Sequence, residues 1–75
     1  MWVQSKSNNN DNKAINMDQV EYCYKGFYTG YQDEKKHSIV FKYTRTETTW
    51  EYDSEEERDM AFDNLRSVVK VVTVI

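Results

Sequence analysis

Residues 48–65, TTWEYDSEEERDMAFDNL, contain the change of period that decides the fold. Thr48, Trp50 and Tyr52 alternate with polar residues, which is the pattern of a β-strand with one buried face. From Ala61 onward the apolar residues recur at intervals of three and four, which predicts an amphipathic helix. This stretch therefore predicts a strand that is followed directly by a helix.

The predicted helix has a clear start and an apolar stripe. Asp53 or Ser54 is the predicted N-cap, and Ser54 with Glu57 forms the S-x-x-E pattern of a capping box. Residues 55–57 are glutamates in the first turn, where the helix dipole favours anions. The stripe should pack on the aromatic face of a sheet. It consists of Ala61, Phe62, Leu65, Val68, Val69 and Val72. Residues 71–75 are all β-branched, and residues 70–75 could continue the helix or form a strand, so the sequence leaves both open.

Strands are predicted upstream as well. The start MWVQS is rich in strand formers, and residues 14–28 and 37–45 alternate with period 2. Gly26 predicts a bulge. The last two strands form a hairpin through either Thr46–Glu47 or Thr44–Glu47. Both loops put the aromatic residues on one face, whereas a slip of one residue would separate them. These aromatic residues are Phe41, Tyr43, Trp50 and Tyr52.

The predicted fold class is therefore α+β, a small antiparallel sheet of three or four strands with a C-terminal α-helix packed on one face. Residues 1–75 are expected to form a single domain, since the length suits no more than one. Its core should bury Trp50, Phe41, Tyr43, Leu65 and Val68 together.

Composition excludes several function classes. One cysteine, Cys23, and one histidine, His37, cannot supply a four-ligand zinc site or an intramolecular disulfide. We expect no metal, no cofactor and no catalytic residue. The N-terminus lacks the apolar core of a signal peptide, and no apolar run approaches the roughly 20 residues of a membrane span. We therefore expect a cytoplasmic protein with no membrane partner.

Charge is unevenly distributed. The chain has a net charge of −3, but residues 47–63 contain eight acids and one base, which leaves +4 on the remainder. Capping and solvation explain the glutamates of the first helical turn without any function. They do not explain the acids on the preceding strand and further along the helix. The candidate partner-binding residues are Glu47, Glu51, Asp53, Glu55, Glu56, Asp59 and Asp63.

The sheet aromatics have two readings. They could stack the bases of single-stranded nucleic acid beside the basic residues, but Lys25, Lys42 and Arg45 alternate with aromatics and so should point to the other face. The helix also needs an aromatic surface to pack on. We therefore predict a core role for most tyrosines, with Tyr28 and Tyr31 exposed near a loop. The basic residues of the nucleic-acid reading are Lys25, Lys35, Lys36, Lys42 and Arg45.

The segments INMDQVEY (15–22) and YDSEEERDMAFDNL (52–65) give the chain a resemblance to small sheet-plus-helix proteins of bacterial and phage genomes, including the flagellar FlbD-like proteins. Their shared features are an N-x-D-x-V pattern and a capped helix, which are structural. The resemblance implies a sheet-and-helix fold and carries over no functional residue.

We expect a non-enzymatic protein-binding module. Its concrete form would be an anti-CRISPR-like inhibitor, encoded by a phage or mobile element, that presents an acidic surface to a basic nucleic-acid-handling protein. A single-stranded nucleic-acid-binding domain is one alternative. A self-associating structural subunit, such as a homodimer, is the other.

Overall fold

The computed structural model describes residues 1–11 and 13–69, and its α+β architecture confirms the predicted fold class. The elements are β1 (Trp2–Val3), β2 (Ile15–Asn16), β3 (Tyr22–Thr29), β4 (Lys35–Lys42), β5 (Glu47–Tyr52) and α1 (Glu55–Val69). Three short 3₁₀ turns lie at Asn8–Asn10, Met17–Gln19 and Tyr31–Asp33. The open question about residues 70–75 lies outside the described residues.

The strands form two antiparallel sheets. Strands β3, β4 and β5 make a meander in that order, and β1 pairs separately with β2. The single strand predicted over residues 14–28 is wrong, because a 3₁₀ turn divides it into β2 and β3. The Asn16 side chain begins that turn by accepting a hydrogen bond from the Asp18 amide at 3.2 Å.

The β4–β5 hairpin keeps the predicted faces but not the predicted loop. Phe41 lies opposite Thr48 and Ile39 opposite Trp50, so the loop covers residues 43–46. The Tyr43 amide donates to the Thr46 carbonyl at 2.8 Å and closes this turn. Both predicted loops are therefore wrong. The error is an even number of residues, so the aromatic side chains still share the face that α1 covers.

The core lies between that face and α1. Its buried hydrophobic residues are Ile15, Ile39, Phe41, Trp50, Tyr52 and Leu65. The rings of Phe41 and Trp50 meet edge-on with centroids 4.7 Å apart. Tyr43 is only partly buried against this cluster. Val68, which was expected in the core, is 54% exposed, so that prediction is wrong.

The buried side of α1 is rotated slightly from the predicted apolar stripe. Arg58 is buried and lies on that side together with Leu65. Arg58, Leu65 and Val69 fall on one side of a helix with 3.6 residues per turn, and Val68 lies at the margin of that side. The predicted start is correct. Ser54 Oγ accepts a hydrogen bond from the Glu57 amide at 3.1 Å, as an N-cap residue does.

Gly26 does not form a bulge, contrary to the prediction. The pairing of β3 with β4 is unbroken from Tyr22 to Thr29, and Gly26 lies opposite Ser38. A Cβ at position 26 would lie 2.6 Å from Ser38 Oγ and 3.2 Å from Val40 Cγ2. A side chain at position 26 would therefore require the Ser38 and Val40 side chains to shift.

The outer side of β5 is closed by a side chain. Asn10 is fully buried, and its amide oxygen accepts from the Glu51 amide at 2.6 Å while its amide nitrogen donates to the Glu51 carbonyl at 3.0 Å. Next to it, Lys13 Nζ donates to the Thr49 carbonyl at 3.3 Å. A carboxamide has the donor and acceptor of a peptide group, so Asn10 takes the place of a neighbouring strand. We call the Asn10 and Lys13 contacts the edge clamp.

Replacing Leu65 by alanine should lower the free energy of unfolding by about 2–5 kcal/mol, because it leaves a cavity under α1. Val68→Ala is the matched control and should change it by less than about 0.5 kcal/mol, since Val68 is exposed. Urea titration followed by circular dichroism measures both. Equal losses in the two variants would contradict the observed packing of α1.

Asn10→Ala should lower the free energy of unfolding by about 1–3 kcal/mol, because the part-buried Glu51 amide and carbonyl lose their partner. Asn9→Ala is the control, since Asn9 is exposed and its amide nitrogen donates to the exposed Asp53 Oδ1 at 3.5 Å. The same urea titration compares them. A harmless Asn10→Ala substitution would show that the edge clamp contributes nothing to stability.

Candidate functional site

The candidate acids lie on different sides of the molecule. Glu47 and Glu51 belong to the sheet face opposite α1, which we call the open face. There Glu47 lies 3.5 Å from Lys42 Nζ, and Glu51 accepts a hydrogen bond from the Tyr28 hydroxyl. Both acids therefore have partners within the protein.

Asp53 and Glu55, at the end of β5 and the start of α1, also have internal partners. Asp53 Oδ1 lies 3.7 Å from Lys36 Nζ, and Glu55 Oε1 lies 3.8 Å from Arg58 Nη2. Both carboxylates are exposed, so such pairs add little to stability. Their effect is to reduce the negative charge available to a partner.

Asp59 is held against β3. Its Oδ1 accepts from Arg58 Nε at 2.7 Å and lies 3.0 Å from Lys25 Nζ. The hydrogen bond from Arg58 and then that from Lys25 hold the pKa of Asp59 below its ordinary value of 3.8. Lys25 Nζ also lies 5.4 Å from the centre of the Phe62 ring. Asp59 therefore connects the helix to the β3 edge of the sheet.

Glu56 and Asp63 differ from the other five acids. Both are exposed on α1, and within residues 1–11 and 13–69 neither side chain makes a hydrogen bond or ion pair. The structure thus brings the seven acids into no single strip, because two lie on the open face and Asp59 lies on the helix side. Of the seven acids, these two are the ones that have no partner among the described residues.

Arg58, the one base of the acidic segment, is buried against the sheet. It is 7% exposed, and its Nη1 donates to the Gly26 carbonyl at 2.9 Å. Its guanidinium also reaches Asp59 and Glu55. The signal was present in its spacing, since Arg58 precedes Ala61, Phe62 and Leu65 by three, four and seven residues and so shares their face.

Three tyrosines project from the open face, and we call Tyr22, Tyr24 and Tyr28 the tyrosine face. Their side of β3 follows from the register, because Cys23 lies opposite Phe41 on the helix side. Tyr22 is 53% and Tyr24 44% exposed, so the predicted core role is wrong for both. No described element covers this side of the sheet, which is why the rings remain accessible.

The tyrosine face is partly ordered by its own contacts. The rings of Tyr22 and Tyr24 are stacked, with centroids 6.1 Å apart. Tyr28 reaches from β3 to Glu51 on β5 and so passes across β4 near Ser38, which is buried. The hydrogen bond to Glu51 is the main cause that raises the pKa of Tyr28. As predicted, Tyr28 and Tyr31 are exposed.

Basic residues share the open face with these tyrosines. Lys42 lies opposite Tyr22 and Lys36 opposite Tyr28. Lys42 points away from Phe41, as expected, but Tyr22 and Tyr24 lie on its own side of the sheet. Each lysine is nevertheless paired with a carboxylate, Lys42 with Glu47 and Lys36 with Glu34 at 2.8 Å. The open face is therefore aromatic and close to neutral.

The described residues offer no metal centre and no cysteine–histidine pair. They contain no group of three histidine, cysteine or acidic residues that could hold a metal ion. Cys23 and His37 lie on the same face, but four strand positions separate them, which corresponds to about 13 Å. Burial raises the pKa of the Cys23 thiol, which lowers its thiolate fraction.

A groove of about 660 Å³ lies between residues 3–7 and α1. Trp50, Tyr52 and Leu65 line it, together with exposed Met60 and Val68. Its polar lining residues make no convergent set of charges, and the Ser5 hydroxyl already bonds to Tyr52 at 2.8 Å. The groove marks the seam between the N-terminal segment and the helix.

Asp59→Asn should flatten the acid dependence of stability. Because the folded-state pKa of Asp59 is lowered, its contribution is present above the ordinary value of 3.8 and is lost as the pH falls through the folded value. Wild type should therefore lose more stability than the variant on acidification. Urea midpoints measured from neutral to acid pH test this, with Asp63→Asn as a control that should follow wild type. Parallel pH profiles for wild type and Asp59→Asn would contradict it.

No helix in residues 1–11 and 13–69 has the length and apolar content to cross a lipid bilayer. Comparison with protein-family models, with curated proteins and with solved structures finds no match for this chain. The resemblance to FlbD-like proteins consequently stays a prediction from the sequence.

Proposed function

We propose that the protein is a non-enzymatic protein-binding module and that the tyrosine face is its binding surface. The observation that carries the proposal is the exposure of Tyr22 and Tyr24 on a sheet face that no described element covers. Tyrosine is enriched in protein interfaces, because it contributes a large contact area and a hydroxyl at a low cost in side-chain entropy.

The partner in this proposal is a protein with exposed arginine or lysine side chains. Cations bind the faces of tyrosine rings, and the chain has a net charge of −3 that attracts a basic surface. Glu56 and Asp63, which have no partner in the described part of the chain, add attraction from the helix. The lysines of the open face are neutralised by Glu47 and Glu34, so they do not repel such a partner.

A nucleic-acid-handling protein has such a basic surface, and occupying it would make this chain an inhibitor. That role, an origin in a phage or mobile element and a cytoplasmic location are the finer parts of the proposal. They rest on the composition and on the net charge.

Binding of single-stranded nucleic acid is the second candidate function. It is favoured by one observation, the position of Lys42 opposite Tyr22 on the open face, where bases could stack beside a cation. The pairing of that lysine with Glu47 at 3.5 Å counts against it. Steep loss of affinity with salt for a labelled oligonucleotide would favour this candidate over the first.

Replacing both Tyr22 and Tyr24 by alanine should weaken binding to an oligoarginine peptide about tenfold, because each ring–cation contact contributes about 0.5–1 kcal/mol. Tyr31→Ala is the matched control, since Tyr31 is 86% exposed but lies outside the open face. Glu56→Lys with Asp63→Lys should mainly slow association, because exposed charges act on the association rate.

Fluorescence titration and stopped-flow mixing measure these two effects, and circular dichroism confirms that each variant is folded. Wild-type affinity in the tyrosine variant would remove the tyrosine face from the proposal. Stronger binding of an oligonucleotide than of the peptide would replace the first candidate by the second.

A further inference from the structure

The two edges of the three-stranded sheet differ in whether their outward backbone groups have hydrogen-bond partners. The edge clamp satisfies the outer side of β5 with Asn10 and Lys13. The other edge is β3, and in residues 1–11 and 13–69 no strand pairs with its outer side. An uncovered edge strand presents backbone donors and acceptors that can pair with another chain.

The directions of the β3 backbone groups follow from the clamp. In an antiparallel sheet, the backbone groups of successive residues point alternately to the two neighbours. The backbone groups of Thr49 and Glu51 point away from β4 toward the edge clamp. The registers of β5 with β4 and of β4 with β3 carry this alternation across the sheet. The β3 residues whose backbone groups point away from β4 are therefore Cys23, Lys25, Phe27 and Thr29. Within residues 1–11 and 13–69, these four residues provide the backbone groups of the edge that no strand pairs with.

Strand β3 lacks the usual protection of an edge. It has eight residues, pairs with β4 without a bulge and contains no proline. Its one charged side chain, Lys25, is drawn to Asp59 at 3.0 Å and to the Phe62 ring on the helix side. Phe27 is 56% exposed next to it. The edge is therefore long, regular and partly apolar.

We propose that β3 pairs with β3 of a second copy of this chain, antiparallel and with Gly26 opposite Gly26. This register pairs residues 23–29 with one another and joins two sheets into one of six strands. It places Lys25 opposite Phe27 of the second copy, twice by symmetry, and Tyr24 opposite Tyr28. A cation beside an aromatic ring and a pair of aromatic rings are both favourable across strands.

The neighbouring registers are less suitable. Moving the symmetry axis to Lys25 puts two lysines directly opposite each other, which is unfavourable. Moving it to Phe27 leaves only residues 25–29 paired. Registers shifted by one residue place an outward backbone group against an inward one, so they form no ladder. The strand is thus self-complementary about Gly26, which is the requirement for a two-fold symmetric interface.

Sedimentation equilibrium tests the proposal directly. The chain has a mass of 9.0 kDa, and we expect twice that value at high concentration, falling toward one copy on dilution. In the folded dimer, the amides of Lys25 and Phe27 should exchange with solvent more slowly at high than at low protein concentration. Neither measurement requires a variant.

Two substitutions of opposite charge test the register. Phe27→Lys puts a lysine opposite Lys25 and should leave a monomer, whereas Phe27→Glu puts a carboxylate there and should retain the dimer. Both remove the same ring, so their comparison cancels the loss of apolar area. Tyr31→Lys also replaces an exposed aromatic residue by lysine, but outside β3, and should leave the mass unchanged. Circular dichroism checks that all three are folded.

A single-copy mass at every concentration would overturn the proposal. It would also be overturned if Phe27→Lys and Phe27→Glu dissociated equally, since a register centred on Phe27 or a nonspecific apolar contact would respond in that way. Rapid, concentration-independent exchange of the Lys25 and Phe27 amides would overturn it without reference to any substitution.

Discussion

The indole of Trp50 is the contact on which the rest of the structure depends. Its ring packs edge-on against Phe41 in the core under α1, and its Nε1 donates to the Lys13 carbonyl at 2.7 Å. One side chain thereby fixes the strand, the core and the N-terminal segment relative to one another. Once Lys13 is held there, its own side chain and that of Asn10 can reach the outer side of β5. A buried aromatic residue with a polar group thus supplies both apolar area and position.

Sequence pattern predicted the features that depend on local periodicity. The N-cap at Ser54 and the shared face of Phe41 and Trp50 each follow from spacing within a short segment. Spacing did not predict which face of the sheet each β3 side chain occupies. That face depends on the length of the loop between β3 and β4, and a change of one residue in this loop exchanges the two faces. That is why Tyr22 and Tyr24 were assigned to the core and lie on the open face. The edge clamp was equally hidden, since Asn10 and Glu51 are far apart in sequence.

The surface charge of the candidate site also depends on contacts between residues that are far apart in sequence. A run of acids in sequence predicts a field only if the cations of the fold lie elsewhere, and here they do not. Lys25, Lys36 and Lys42 come from the preceding strands and each lies within 4.0 Å of an acid from the run. The surface that emerges is therefore defined more by uncovered aromatic rings than by charge. The guanidinium of Arg58 is not part of this surface either, because it is buried between α1 and β3.

The close approach at Gly26 has a consequence for how the sequence can vary. A Cβ at position 26 would meet Ser38 Oγ and Val40 Cγ2. These three positions share one small volume on the open face, so their side-chain sizes are not independent. A smaller residue at position 38 would remove the closer of the two contacts that an alanine at 26 would make. In any set of related sequences, residues 26, 38 and 40 should therefore change together rather than singly.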